Sequence, residues 1–236
     1  MQIWGHRGAY HHMPENTLAG FKKAVELGAD GVEFDVQLTK DGEVVVIHDE
    51  IIDRVSTGNG MVKDYTLQEL RYFNFNKRGI SEPKYMPIPT LEDVLQLLEP
   101  TLLLINIEFK TGIIFYDGIE YKTAELVKKY GLSGRVIYSS FNHYSVQKVK
   151  GYDPAAKTAL LCGGGMIVTG EQCEKIGAYA LHPNVQQMHC PGLLEDCKRR
   201  GIKVNVWTID SEKDYLYAKD NGVDGIFVND LGRFHK

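Results

Sequence analysis

The chain has 236 residues, 43% of them apolar, and a formal net charge of −4. That is enough apolar sequence for one large core, and the charge leaves no broad basic surface of the kind that tracks a nucleic-acid backbone. No run approaches the ~18 apolar residues of a membrane span, and Cys162, Cys173, Cys190 and Cys197 have no Cys-x-x-Cys spacing, which argues against a disulfide framework or a zinc site.

The first residues already read as a strand, 2–6, with no room for a basic and apolar leader, so a reducing cytoplasm is the expected location. A helix follows, with Asn16 as its expected cap, Leu18, Phe21, Ala24 and Val25 as its apolar face, and Glu15 as an acid suited to its first turn. The next strand is 31–37. After the turn Thr39-Lys40-Asp41-Gly42 the run 44–48 comes too soon for a parallel crossover, so it should fold back antiparallel and carry His48 to a place opposite Asp35. Residues 50–89 read as an inserted cap, since ordered loops of that length are usually functional. A helix at 90–98 then returns to the regular pattern.

From there, strands are expected at 102–109, 135–140, 157–161, 178–182, 203–208 and 225–229. Most are preceded by an amphipathic segment ending in glycine: Gly28, Gly131, Gly177, Gly201 and Gly222 occupy the position where a helix can terminate in the left-handed region. Gly28-Ala29-Asp30-Gly31-Val32 and Gly222-Val223-Asp224-Gly225-Ile226 are near copies, read as repeated loop chemistry. Eight strands alternating with helices predict a (β/α)8 TIM barrel, one domain over 1–236 with a small insertion after the second barrel strand.

Chemistry-bearing residues gather at the predicted C-terminal strand ends, where barrel sites lie. Side chains two apart in a strand share a face, so Glu33 and Asp35 point together, as do Asn106, Glu108 and Lys110. Three inward carboxylates are unfavourable unless a cation neutralises them, and hard oxygen donors suit Mg²⁺ or Ca²⁺, with Mn²⁺ as an alternative. Arg7 and Lys110 fit either phosphate binding or simple pairing with those acids. His6 and His48 stand out through their shared location. Trp207 fits a packed barrel residue or a substrate-binding pocket wall. His182 and Asn142 fit supporting hydrogen bonds, and His11, His12, His143, His189 and His235 fit surface or structural positions.

In order along the chain, His6-Arg7-Gly8, Glu15-Asn16-Thr17, the run from Gly31 to Gly42, His48-Asp49, Ile88-Pro89-Thr90-Leu91-Glu92, Asn106-Ile107-Glu108-Phe109-Lys110, Ser140-Phe141-Asn142-His143 and Val206-Trp207-Thr208 resemble the glycerophosphodiester phosphodiesterase family. The resemblance implies a barrel with a small insertion, hydrolysis of small glycerophosphodiesters to an alcohol and sn-glycerol 3-phosphate, metal ligation by Glu33, Asp35 and Glu108, acid-base roles for His6 and His48, and phosphate contacts from Arg7 and Lys110. The chain is less typical at Ile51-Ile52-Asp53 and Ile113-Ile114-Phe115-Tyr116, expected to border the leaving-group pocket. Two other readings stand beside it: a lysophospholipase D activity using Phe109, Phe115 and Tyr116 as an apolar groove, and a phosphoester-binding barrel without turnover.

Overall fold

The computed structural model describes residues 1–77, 79, 84–163 and 170–234. The chain begins β1 (Gln2–Gly5), α1 (Leu18–Glu26), β2 (Gly31–Leu38), β3 (Val44–Val46), α2 (Leu67–Leu70) and α3 (Leu91–Leu98). It continues β4 (Leu104–Phe109), α4 (Ile119–Lys129), β5 (Val136–Ser140), α5 (His143–Tyr152), β6 (Lys157–Cys162), α6 (Gly170–Ile176), β7 (Ala180–Pro183), α7 (Val185–Met188) and α8 (Leu193–Arg199). The last elements are β8 (Lys203–Val206), α9 (Glu212–Asp220), β9 (Gly225–Val228) and α10 (Leu231–Phe234).

Eight parallel strands run in the order β1-β9-β8-β7-β6-β5-β4-β2, and the β1 to β2 pairing closes them into a (β/α)8 barrel. All eight expected strands form, with ends shifted by no more than two residues. β2 is the longest because it serves two neighbours on one edge: Gly31 and Val32 pair with β1, while Val36, Gln37 and Leu38 pair with antiparallel β3. The hairpin expected from the short Thr39–Gly42 turn is therefore present. Gly28, Gly131, Gly177, Gly201 and Gly222 all take φ between +68° and +73° at helix ends, where a Cβ would be strained. The two near-copy loops do the same work. Asp30 accepts from the Ile3 amide of β1 at 2.7 Å, and Asp224 accepts from the Val204 amide of β8 at 2.9 Å, so each loop acid ties the start of the adjacent strand.

The cap of α1 differs from the expectation. Thr17, not Asn16, closes the helix, its Oγ1 accepting from the Gly20 amide at 3.1 Å. Asn16 adopts φ +54° and turns its amide inward, and Glu15 lies before the helix, whose first turn contains no acid. Val25 is on the solvent side at 38% exposure, because the buried stripe runs through Gly20, Phe21 and Ala24.

Between β3 and α3 the chain makes a 3-10 turn at Val62–Asp64 and the short α2, whose start carries a capping box formed by Thr66 and Glu69. Ile52, Val62, Leu70 and Phe75 pack with Val45, Ile47 and Ile88 as a small core distinct from the main one. Residues 78 and 80–83 of the expected cap lie outside the described residues, as does His235. Trp4, Ile137, Ala159, Ala180 and Phe227 fill the barrel interior. All four cysteines are free thiols. Among the described residues, no helix is long and apolar enough to cross a membrane.

Candidate active site

The parallel register of β2 and β4 pairs Glu33 with Asn106 and Asp35 with Glu108. Side chains of partnered residues project to the same face, so ligand oxygens of Glu33, Asp35 and Glu108 come within 4.8 Å of one another. The consequences for protonation are uneven. Burial, then the charges of Asp35 and Glu108, push Glu33 well above the usual carboxylate range. Burial and Asp35 raise Glu108 as well. Burial also opposes ionisation of Asp35, but the charges of His48, Arg7 and Lys110 and a 2.9 Å hydrogen bond from Asn16 Nδ2 outweigh it and lower its pKa. Asp35 Oδ1 is buried with no hydrogen-bond partner. An orphaned oxygen beside two destabilised carboxylates is a donor set that fits a hard divalent cation.

His6, from the end of β1, and His48, from the end of the hairpin, stand on either side of this cluster. Asn229 Nδ2 donates to Asp210 at 3.0 Å, which turns its Oδ1 to accept from His6 Nδ1 at 2.7 Å. His48 Nδ1 donates to Asp49 at 2.6 Å. Both rings are thereby held in the tautomer that leaves Nε2 for chemistry. Burial first, then Arg7, lowers the His6 pKa to about 4. Asp49 is lowered to about 2 in spite of partial burial, because Arg54 and His48 bond to it. The backbone under His48 is pinned by Gln37, fully buried, whose amide donates to the carbonyls of His48 and Asp49 at 3.0 and 2.8 Å while Tyr116 holds its oxygen.

Arg7 has φ +51°, a region non-glycine residues seldom occupy. Its amide donates to Glu33 at 2.9 Å, its Nη1 donates to Glu15 at 2.8 Å, and its Nε has no hydrogen-bond partner. Lys110 donates to Glu108 at 3.0 Å and lies 3.2 Å from His48 Nε2. The two cations thus pair with the acids, and Arg7 also borders the space between the histidines.

That space is a cavity of about 310 Å³, lined on its polar side by His6, Arg7, Glu33, His48, Asn106 and Glu108 and on its apolar side by Phe141, Leu161, Trp207 and Phe227. Trp207 is packed in place and also lines this cavity. Its indole donates to the His182 carbonyl at 2.8 Å and meets Phe141 edge-on, while its ring forms part of the wall. His182, fully buried below it, exchanges a hydrogen bond with Asn205 at 2.9 Å. Asn142 does not reach the cavity; it caps α5 and donates to the Thr111 carbonyl. A cavity of the same volume at the other barrel end is lined by Arg135, Lys157, Lys203 and Asp224, but Lys203 is paired with Asp224 and Arg135 is spent on the Thr101 and Leu103 carbonyls.

The structure brings together His6, Arg7, Glu33, Asp35, His48, Glu108, Lys110 and Trp207. It corrects the expected apolar groove: Phe109 is stacked on Tyr138 in the core and Tyr116 is buried on Gln37, which leaves only Phe115 exposed. Ile52 belongs to the small core, while Ile51 and Asp53 on either side of it are exposed. Sequence reasoning missed Arg54, Asn229 and Gln37 and misread Glu15 and Asn16. Asp49 had a signal in its adjacency to His48, whereas Arg54 and Asn229 sit in loops with no periodicity to mark them.

The chain matches the glycerophosphoryl diester phosphodiesterase family model over residues 6–233. It is 45% identical over 228 residues to a glycerophosphodiester phosphodiesterase of Caldanaerobacter subterraneus subsp. tengcongensis, covering 97% of this chain and 93% of that protein. Among solved structures, an Oleispira antarctica phosphodiesterase in complex with the product sn-glycerol-3-phosphate is 28% identical with a TM-score of 0.84, covering 97% of this chain and 93% of that one. A Thermotoga maritima glycerophosphodiester phosphodiesterase is 29% identical with a TM-score of 0.80, covering 99% and 96%. The matched span includes every side chain of the cluster, and the chain belongs to the glycerophosphoryl diester phosphodiesterase family.

Proposed function

We propose that this chain is a metal-dependent phosphodiesterase that cleaves glycerophosphodiesters to an alcohol and sn-glycerol 3-phosphate. The observation that carries the reading is a three-carboxylate cluster at the edge of one cavity, which two oriented imidazoles and Arg7 also line, with Lys110 bonded to Glu108 behind it. The product named for the Oleispira antarctica relative supports the substrate class. Glu33, Asp35 and Glu108 would hold one divalent ion, Mg²⁺, Ca²⁺ or Mn²⁺, which when bound supplies Lewis-acid charge for the non-bridging phosphate oxygens. Arg7 and Lys110 bind those oxygens and stabilise the charge that builds on them during displacement. Through their Nε2 atoms, one of His6 and His48 takes the proton of the nucleophile and the other returns one to the leaving alcohol. The nucleophile is water or the glycerol 2-hydroxyl. Trp207, with Phe141 and Phe227, forms the wall for the carbon part of the substrate.

The test is release of glycerol 3-phosphate from glycerophosphocholine and glycerophosphoethanolamine with Mg²⁺ or Ca²⁺, with chelator, and with Glu33→Ala. Release that disappears with chelator and in the variant is the expected result. A chain that bound these diesters tightly with saturating metal yet never hydrolysed them would belong to the phosphoester-binding reading instead.

A lysophospholipase D activity is the second reading, favoured by Ile113 and Phe115, 72% and 74% exposed on the loop after β4. Faster turnover of long-chain lysolipids than of water-soluble diesters would establish it in place of the first.

A further inference from the structure

Arg54 lies in the inserted segment, outside every motif that marks the site, yet its guanidinium reaches two of the acids that orient the catalytic groups. Nε donates to Asp49 Oδ2 at 2.6 Å, and Nη1 and Nη2 donate to the two oxygens of Glu15 at 2.5 and 2.8 Å. Asp49 in turn accepts from His48, and Glu15 accepts from Arg7. The contacts form one unbroken chain from imidazole to guanidinium: His48, Asp49, Arg54, Glu15, Arg7. We infer that Arg54 is a positioning residue that sets His48 and Arg7 in register with each other, so that the group moving a proton and the group holding the phosphate share one anchor.

Three observations support this. Glu15 is buried at 7% exposure, and a buried carboxylate needs its charge matched; Arg7 alone occupies one oxygen and leaves the other to Arg54. The planar fork of arginine spans two carboxylates at once, a geometry a lysine ammonium cannot reproduce. The backbone that presents the fork is itself held: Ile52 is fully buried in the small core, the Val55 and Ser56 amides both donate to its carbonyl, and Asp53 accepts from the Gly60 amide. The inserted segment therefore takes part in anchoring the site. It delivers one charged group to a point between two strand-end loops.

The inference rests on the phosphodiesterase reading, and its experiment separates the two. Turnover of glycerophosphocholine is measured for the wild type, Arg54→Ala, Arg54→Lys, Asp49→Ala and the Arg54→Ala/Asp49→Ala pair, with folding checked by circular dichroism. Arg54→Ala and Arg54→Lys should each lose roughly ten- to a hundredfold in kcat/KM, and the double variant should fall little below its worse single parent, as expected of residues acting through one another. Because the Arg54 side chain is 44% exposed, millimolar free guanidinium should enter its place and restore part of the Arg54→Ala loss. Losses that multiply in the double variant, full activity in Arg54→Lys, or no response to guanidinium would each overturn the assignment. Should Arg54→Ala fold poorly, Arg54→Lys carries the same cycle. A wild type without turnover would remove the reaction itself, whereas an active wild type with an equally active Arg54→Ala would remove only this inference.

Discussion

Asp35 and Glu108 are register partners on adjacent parallel strands, and this one pairing makes the site. It sets two carboxylates side by side on the inner face of the barrel, with Glu33 one pleat below, in a place where burial penalises every negative charge. The pair ionises unevenly: Asp35 is drawn down by His48, Arg7 and Lys110 against the opposing effect of burial, and Glu108 is pushed up by burial and by Asp35.

Metal uptake should therefore release protons. Glu33 and Glu108, raised in the free site, must ionise to ligate, so affinity for Mg²⁺ or Ca²⁺ should weaken as pH falls through their raised pKa values. Titration calorimetry in two buffers of different ionisation heat measures it. Identical apparent enthalpies in both buffers would contradict the picture.

His6→Ala and His48→Ala should each lower turnover by on the order of 10²–10⁴. A nitrophenyl leaving group needs little help from an acid, so the variant that recovers on such a diester identifies the proton donor, and the one that does not identifies the acceptor. Full turnover in either alanine variant would end the two-histidine assignment.

Asn16 and Thr17 should separate function from stability. Thr17→Ala removes the helix cap and should cost about 1 kcal/mol in unfolding with metal affinity unchanged. Asn16→Ala removes the hydrogen bond to Asp35 and should weaken metal binding. Chemical denaturation and calorimetry on both variants decide; a stability loss in Asn16→Ala, with none in Thr17→Ala, would restore Asn16 as the cap.

Acid should destabilise the fold in part through His182. Burial lowers its pKa to about 3, so the unfolded chain takes up a proton near pH 6.5 that the folded chain refuses. The contribution is whole above pH 6.5, is lost between pH 6.5 and 3, and is worth on the order of 5 kcal/mol across that window. Melting temperature against pH for the wild type and His182→Gln reads it as a difference. Parallel curves from pH 7 to 4 would show that His182 carries no such linkage.

Much of the architecture was legible because it follows local rules. The glycine at each helix end, the β-branched run after it, and the four-residue turn before residues 44–48 each act over a few residues, so eight strands and one hairpin could be placed from the sequence. The period of two did the same for Glu33 with Asp35 and for Glu108 with Lys110, since alternation in a strand needs no knowledge of the partner strand. Errors fell where two neighbours compete for one role. Asn16 and Thr17 both suit a cap, and the demand of buried Asp35 for a donor decided between them.

By itself, then, the sequence determined the strand and helix order, the hairpin and the residues that cluster at the strand ends, because those depend on spacing along the chain. Only the tertiary structure decided the parallel register that sets Asp35 beside Glu108, the burial that shifts their protonation, and the links from Asn229 to His6, Gln37 to His48 and Arg54 to both Asp49 and Glu15. Those partners are separated by 223, 11, 5 and 39 residues. The Gln37–His48 link follows from the β2–β3 hairpin and the Asp49–Arg54 link from a local turn, whereas Asn229 meets His6 and Arg54 meets Glu15 only because the barrel brings distant strand-end loops to one rim, which no local rule encodes.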